Sequence, residues 1–166
     1  MALKPRYSLA SKLAQKLLID SKVKYPPVEL DSISEHLGIK KLPYKFSKHV
    51  SAVLMKMNAV TVIGVNQEQP PVRQRFSIAH EIGHFILGHH TETIVDSEEI
   101  SEGRFGLDSP NKIQEQEANY FASELLMPAE SLKKDFSKLK DTKALANLYQ
   151  VSEQALWIRL MNLKFI

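Results

Sequence analysis

Cysteine is absent from this sequence of 166 residues. The chain therefore forms no disulfide bond, and any metal ion it binds must be held by histidine and carboxylate side chains. Long apolar runs are also missing. No stretch approaches the roughly 20 apolar residues that a membrane-spanning helix needs, and the N-terminus lacks the apolar core of a signal peptide. These absences predict a cytoplasmic protein without a membrane partner.

The residues that are present are typical of one folded domain with an uneven charge distribution. Hydrophobic residues make up 43% of the chain, which is enough for a buried core, and the net charge is only +3. Residues 1–24 carry six Lys and Arg side chains against one Asp, whereas residues 91–110 carry six acidic side chains against one Arg. The acidic segment has neither helical nor strand periodicity, so we expect a long loop there.

The first half of the chain predicts two helices followed by a β-hairpin. The spacing of apolar residues predicts helices over 6–20 and 28–37, and Gly38 is placed to end the second. Two β-rich runs, 51–57 and 60–65, predict the hairpin. A peptide substrate is expected to add itself as an extra strand beside residues 60–65.

The next predicted helix contains four of the six histidines, in the stretch "AHEIGHFILGHH" at 79–90. On a helix His80 and His84 are only about 40° apart, so their imidazoles can chelate one ion. Glu81 lies about 100° round from His80, close enough to act on a water molecule bound to that ion. This is the HExxH motif of zinc peptidases. Zinc activates a water molecule and polarises the carbonyl, while the glutamate accepts a proton and passes it to the leaving amine.

The alternative is that these histidines are satisfied core residues without a metal. The helix is apolar almost all round, and it also contains Gly83 and Gly88, which each cost roughly 1 kcal/mol relative to alanine in a helix interior. Close packing around a site explains such a cost better than folding alone. His89 and His90, at the end of this helix, are expected to interact with its C-terminal dipole rather than to bind metal.

A third metal ligand is expected from the amphipathic segment 111–128. Glu115 lies on the flank of its apolar face, whereas Glu117 lies about 160° away from Glu115, beside Tyr120 and Glu124. A carboxylate directed into the core must be paired or metal-bound, so Glu115 is the predicted third ligand. Asn119, one turn later, either orients a ligand through a hydrogen bond or is a solvent-edge amide.

Three segments, "PPVELDSISEHLGI", "RQRFSIAHEIGH" and "EQEANYFASELLMP", resemble the ImmA/IrrE metallopeptidases. The resemblance implies a compact zincin-like α+β domain, in which a small β-sheet packs on an HExxH helix and a ligand helix. It also implies that His80, His84 and Glu115 bind zinc and that Glu81 is catalytic. Members of the family typically cleave or otherwise inactivate a helix-turn-helix repressor of mobile-element or stress-response genes. Manganese is an alternative metal, because mixed histidine and carboxylate ligation suits several divalent ions.

The C-terminal residues leave a different function open. Residues 142–163 predict two short helices joined at Val151 and Ser152, with Ser152 as the N-cap, which is the layout of a helix-turn-helix. The second helix is mostly apolar, whereas a recognition helix needs polar and basic groups, so direct DNA binding is disfavoured. We predict a zincin-like domain over 1–130 and a helical cap packed on it over 131–166.

Three functions from different classes therefore stand at this point. The favoured one is a zinc endopeptidase that cleaves a transcriptional repressor. The others are a regulator that binds the repressor without cutting it and keeps a structural metal site, and a DNA-binding helix-turn-helix protein. An intact Glu81 favours the peptidase, because a pure binder has no need of a general base between its metal ligands.

Overall fold

The computed structural model describes residues 4–89 and 112–166, which form seven helices and three strands. In chain order the elements are α1 (Tyr7–Ser21), α2 (Leu30–His36), β1 (Ile39–Tyr44), β2 (Ala52–Met57), β3 (Val60–Asn66), α3 (Pro71–Ile86), α4 (Lys112–Leu126), α5 (Ala129–Leu139), α6 (Thr142–Tyr149) and α7 (Glu153–Asn162). The fold is α+β, as the sequence predicts. The expected acidic loop at 91–110 and His90 lie outside the described residues. Within those residues, no helix combines the length and apolar character needed to cross a membrane.

The three strands form one sheet in the order β1-β3-β2. Strands β2 and β3 pair antiparallel as the predicted hairpin, with Ala52 opposite Val65. The two turn residues, Asn58 and Ala59, both have positive φ angles, of 47° and 67°. A two-residue hairpin turn that matches the strand twist requires this conformation at both positions. Strand β1 pairs parallel with β3 on its other side, so β3 is the central strand.

The central position of β3 shows that the expected strand addition beside residues 60–65 was wrong. Both sides of β3 already pair, with β1 and with β2, so a peptide cannot join it without displacing a strand. The error arose because the hairpin was predicted without β1. The β1 sequence, IKKLPY, contains two lysines and a proline and has only its first residue buried, which makes it a weak strand signal. The outer edges of the described sheet belong to β1 and β2.

Helices α3 and α4 pack against each other at the centre of the helical layer, and α4 also packs against α1. Pro71 occupies the first turn of α3, as expected from its fixed φ angle. The contact between α3 and α4 is fully buried at Ile82 on one helix and at Phe121 and Leu125 on the other. Because α4 is enclosed by α3 on one side and α1 on another, two of its faces are buried.

Gly83 sets how closely α3 and α4 approach. A Cβ atom at this position would lie 3.0 Å from Cδ1 of Phe121 and 3.2 Å from the backbone oxygen of Ala118. The Phe121 ring is fully buried and the oxygen belongs to the α4 backbone, so neither yields without moving α4. We expect Gly83→Ala to lower the free energy of unfolding by about 1 kcal/mol, because overpacking outweighs the gain in helix propensity. Chemical denaturation checks this, and a more stable variant would contradict it.

The C-terminal helices are tied to α4 through Arg159 of α7. This side chain is 1% exposed, its Nη2 lies 2.8 Å from Oε2 of Glu124, and its Nε donates to the backbone oxygen of Met127 at 3.1 Å. The predicted N-cap is present, since Oγ of Ser152 accepts from the backbone N–H of Ala155 at 3.1 Å. Because the Arg159 side chain is buried, its charge is not available to contact DNA phosphates or bases. This weighs against DNA binding through α7.

Candidate metal centre

The three predicted ligands, His80 and His84 of α3 and Glu115 of α4, converge between the two helices. The Nε2 atoms of His80 and His84 lie 3.0 Å apart. The Nε2 atom of His80 is 3.1 Å from Oε2 of Glu115, and the Nε2 atom of His84 is 3.2 Å from Oε1 of the same carboxylate. All the ligand atoms of these three side chains lie within 4.8 Å of one another. Within residues 4–89 and 112–166, they form the one group of three or more histidine and acidic side chains close enough to hold a metal ion.

These separations fit a divalent metal. Zinc binds nitrogen and oxygen ligands at about 2.0–2.1 Å, which in a tetrahedron places neighbouring ligand atoms roughly 3.3–3.4 Å apart. The observed contacts of 3.0 to 3.2 Å fall within a few tenths of an ångström of that spacing. Two imidazoles and one carboxylate are also a ligand set of catalytic zinc sites, which leave a fourth position for water or substrate.

Burial and hydrogen bonding hold the ligands in the protonation states that metal binding needs. Burial lowers the pKa of His84 to about 4, against the opposing interaction with the Glu115 carboxylate, so its ring is neutral near pH 7. Burial alone would raise the pKa of Glu115, but its interactions with the adjacent rings of His80 and His84 lower it to about 2. Neutral imidazole and ionised carboxylate are the forms that bind metal ions.

Glu81, the predicted general base, follows His80 directly on α3 and is buried with the ligands. The exposed fractions are 2% for His80, 1% for Glu81 and 1% for His84. A carboxylate shielded from bulk water interacts more strongly with nearby charge than an exposed one does. The helix therefore presents the HExxH side chains in a largely dry environment.

Asn119 fixes the orientation of His80, which is the first of the two roles that the sequence left open for it. Its Oδ1 atom lies 2.8 Å from Nδ1 of His80. Because an amide oxygen only accepts, Nδ1 carries the proton, and in the neutral ring Nε2 is the unprotonated nitrogen that metal binding requires. Asn119 lies one turn after Glu115 on α4, so one helix supplies both a ligand and the orienting group of another ligand.

The expectation for His89 was wrong in one part: its ring is buried and contacts other side chains rather than lying at the helix end for a dipole interaction. It does not belong to the group of three metal-ligating side chains, as expected. Helix α3 ends at Ile86, and Gly88, predicted to be inside the helix, follows that end with a positive φ of 68°. This left-handed glycine reverses the chain. As a result Nδ1 of His89 lies 2.9 Å from Nδ1 of His84.

The sequence singled out Glu115 as the carboxylate directed into the core, but Glu117 is buried as well, at 1% exposed. Its Oε2 atom lies 2.9 Å from Nε2 of His89 and 2.7 Å from Nη2 of Arg6. The periodicity of α4 could not reveal this, since the second buried face of the helix exists only because α1 covers it. The one sequence signal was the presence of further histidines directly after the HExxH helix.

A cavity of about 640 Å³ reaches Asn119, the residue that holds His80. Its lining is mixed: apolar and aromatic side chains alternate with the polar side chains of Gln116, Asn119, Ser123 and Asn162. Phe76, one turn before His80, and Ile158 of α7 are among its apolar walls. Such a lining suits a side chain that has both an apolar part and a polar group.

Comparison with known proteins gives a family and a fold. Residues 34–161 match the peptidase M78 family, described as the IrrE N-terminal-like domain. The chain is 36% identical over 88 residues to the radiation response metalloprotease IrrE of Deinococcus deserti, and 32% identical over 106 residues to that of Deinococcus radiodurans. These matches cover 52% and 56% of this chain but only 30% and 31% of the relatives, so the chain spans about a third of their length.

A solved structure extends the likeness in fold. A Mycobacterium tuberculosis transcriptional regulator superposes with a TM-score of 0.69 at 17% sequence identity, over 92% of this chain and 46% of the other. At that identity the likeness concerns the fold, which the two proteins share.

Proposed function

The chain belongs to the peptidase M78 family of IrrE N-terminal-like domains, and from that premise we propose that it is a metal-dependent endopeptidase. His80, His84 and Glu115 hold the metal, and Glu81 is the catalytic base. One observation carries the proposal. In a buried site, the Nε2 atoms of His80 and His84 lie 3.0 Å apart, and each lies within 3.2 Å of a carboxylate oxygen of Glu115. The HExxH spacing supplies the base on the same helix.

A bound zinc ion would lower the pKa of a water molecule to about 7 and polarise the carbonyl of the peptide bond. Glu81 accepts a proton from the attacking water as the new carbon–oxygen bond forms. It then gives that proton to the nitrogen of the leaving amine as the carbon–nitrogen bond breaks. Through the hydrogen bond at Nδ1, Asn119 holds the ring of His80 in the orientation and tautomer in which Nε2 could bind a metal.

We favour zinc as the metal, with manganese as the alternative. Two neutral imidazoles and one carboxylate are a common zinc set, but the same ligands accept other divalent ions. Reconstitution of the metal-free protein with each ion separately, followed by an activity assay, distinguishes the two.

We propose a helix-turn-helix transcriptional repressor as the substrate, in the cytoplasm, with release of mobile-element or stress-response genes as the outcome. The resemblance to the ImmA/IrrE peptidases supports this substrate class, and the matched relatives carry the name radiation response metalloprotease. The cavity that reaches Asn119 is a suitable place for a substrate side chain.

We further propose that residues 131–166 act as a cap on a catalytic unit formed by 1–130. The interior bonds of Arg159 to Glu124 and Met127 support this arrangement. The family match, residues 34–161, runs across residue 130, which supports a cap that works together with the catalytic unit.

Incubation with helix-turn-helix repressors from the source organism, followed by mass spectrometry, tests the proposal. Wild-type protein and Glu81→Gln are each loaded with zinc or manganese. Fragments from the wild type alone support the peptidase. An intact repressor held in a stoichiometric complex by both proteins would favour the non-cleaving regulator, and salt-dependent binding of duplex DNA would favour the DNA-binding alternative.

A further inference from the structure

We propose that Glu117 and His89 are positioning residues that fix the ring of His84 for metal binding, and that Arg6 anchors this arrangement. The inference rests on the proposed role of His84 as a metal ligand. It adds a second chain of hydrogen bonds to the one from Asn119 and connects the N-terminal helix to the metal centre.

The positions of the protons along this chain follow from its geometry. Nε2 of His84 faces His80 and Glu115, so it must be unprotonated to bind a metal, and the proton of the neutral ring is on Nδ1. That Nδ1–H lies 2.9 Å from Nδ1 of His89, which accepts it. The neutral His89 ring then carries its proton on Nε2, which donates to Oε2 of Glu117 at 2.9 Å. Every donor in the chain therefore meets one acceptor.

The hydrogen bonds all run from His84 through His89 to Glu117, because a carboxylate at position 117 can only accept. A group that accepts at Oε2 and cannot donate fixes the tautomer of His89, and His89 in turn fixes the tautomer and rotation of His84. Partners of this kind raise the basicity of metal-bound histidine and hold its ring in place.

Arg6 accounts for the burial of this carboxylate. Its backbone N–H donates to Oε1 of Glu117 at 2.7 Å, its Nε to the same oxygen at 3.0 Å, and its Nη2 to Oε2 at 2.7 Å. These hydrogen bonds from Arg6, with a smaller contribution from His89, lower the pKa of Glu117 to about 2 against the effect of burial. Arg6 lies outside the residues that match the family, 34–161, so this anchor comes from a part of the chain that the family match does not cover.

A purely structural ion pair between α1 and α4 is the competing explanation, and α4 provides a matched control for it. Glu124 lies two turns after Glu117 on α4 and forms a buried pair with Arg159, 2.8 Å from Nη2. The contacts of Glu124 are with Arg159 and Gln15, whereas Glu117 contacts His89. Glu117→Gln and Glu124→Gln therefore remove the same charge from the same helix. Only the first replaces the acceptor-only carboxylate that fixes the tautomer of His89 with an amide, whose nitrogen can also donate, and so loosens the chain to His84.

The experiment measures zinc affinity by competition with a chromophoric chelator, together with the stability of each metal-free protein. We expect Glu117→Gln and His89→Leu to bind zinc about 10–100-fold more weakly than the wild type, and Glu124→Gln to bind it as the wild type does. His89→Gln is the rescue variant, because a glutamine amide accepts through its oxygen and donates through its nitrogen. We expect it to recover most of the affinity that His89→Leu loses.

A milder variant guards against loss of folding. The Arg6 side chain is 52% exposed, so Arg6→Gln leaves the core intact while the backbone N–H of residue 6 still donates to Glu117. We expect a smaller loss of zinc affinity than in Glu117→Gln. The absorption spectrum of bound cobalt should also shift in Glu117→Gln and not in Glu124→Gln, because only the first variant releases the His84 ring.

Equal loss of stability in Glu117→Gln and Glu124→Gln, with zinc affinity unchanged in both, would overturn the inference and leave Arg6 and Glu117 as a structural pair. Failure of the proposed function gives a different result. A wild-type protein that binds no zinc or manganese, or whose affinity is unaffected by His84→Ala, would overturn the metal centre and this inference together.

Discussion

Replacement of Glu81 by glutamine is expected to reduce peptide hydrolysis by about 10²–10⁴-fold while the metal remains bound. Glutamine has nearly the same shape as glutamate, but its amide cannot take a proton from water and return it to the leaving amine. The ligands His80, His84 and Glu115 are unchanged in this variant, so metal content should be unchanged. The measurement is the rate of fragment formation alongside metal content by elemental mass spectrometry.

The control for Glu81→Gln is the same exchange at an exposed glutamate. Glu130 lies in the first turn of α5, where Glu130→Gln should leave both activity and metal content as in the wild type. Full activity in Glu81→Gln would contradict the role of general base. Loss of metal together with activity would show instead that Glu81 supports the site rather than the reaction.

Replacement of Glu115 by alanine is expected to weaken metal binding by more than the roughly 10–100-fold that loss of an outer hydrogen-bond partner causes. Glu115 supplies the negative charge of the ligand set, and without it two neutral imidazoles remain. Hydrolysis should be lost with the metal. Metal competition measurements and an activity assay at saturating zinc test the two effects separately.

The same variant should also lose stabilisation by metal. A ligand at 100 times its dissociation constant stabilises the folded state by about 2.7 kcal/mol, so the unfolding temperature of the wild type should rise with added zinc and fall with a chelator. Glu115→Ala should show neither change. His49→Ala, at an exposed histidine, provides the control, and a zinc response in Glu115→Ala equal to that of the control would rule out Glu115 as a ligand.

The parts of this site that the sequence predicts are those set by spacing within one helix. His80 and His84 lie four residues apart, and helix geometry alone brings their rings to the same face. The hairpin of β2 and β3 and the Ser152 cap are local in the same way. The choice of Glu115 rested on its place at the flank of an apolar face, and the structure brings its carboxylate to both imidazoles.

The parts that the sequence could not predict depend on contacts between distant residues. Arg6 and Glu117 are 111 positions apart, and nothing in the periodicity of α4 indicates that α1 covers its second face. The return of His89 towards His84 depends on where α3 ends, and a helix end is hard to place from sequence within a few residues. Strand β1 forms through pairing with β3 despite a sequence of low strand propensity, because tertiary pairing outweighs local preference.

The most direct test of the metal centre is an anomalous difference map recorded at the zinc absorption edge from crystals of the zinc-loaded protein. We predict one strong peak about 2 Å from Nε2 of His80, Nε2 of His84 and a carboxylate oxygen of Glu115. The same peak should be present in Glu81→Gln, since Glu81 is not a ligand. A map without a peak between α3 and α4, or with zinc bound only by other side chains, would contradict the account.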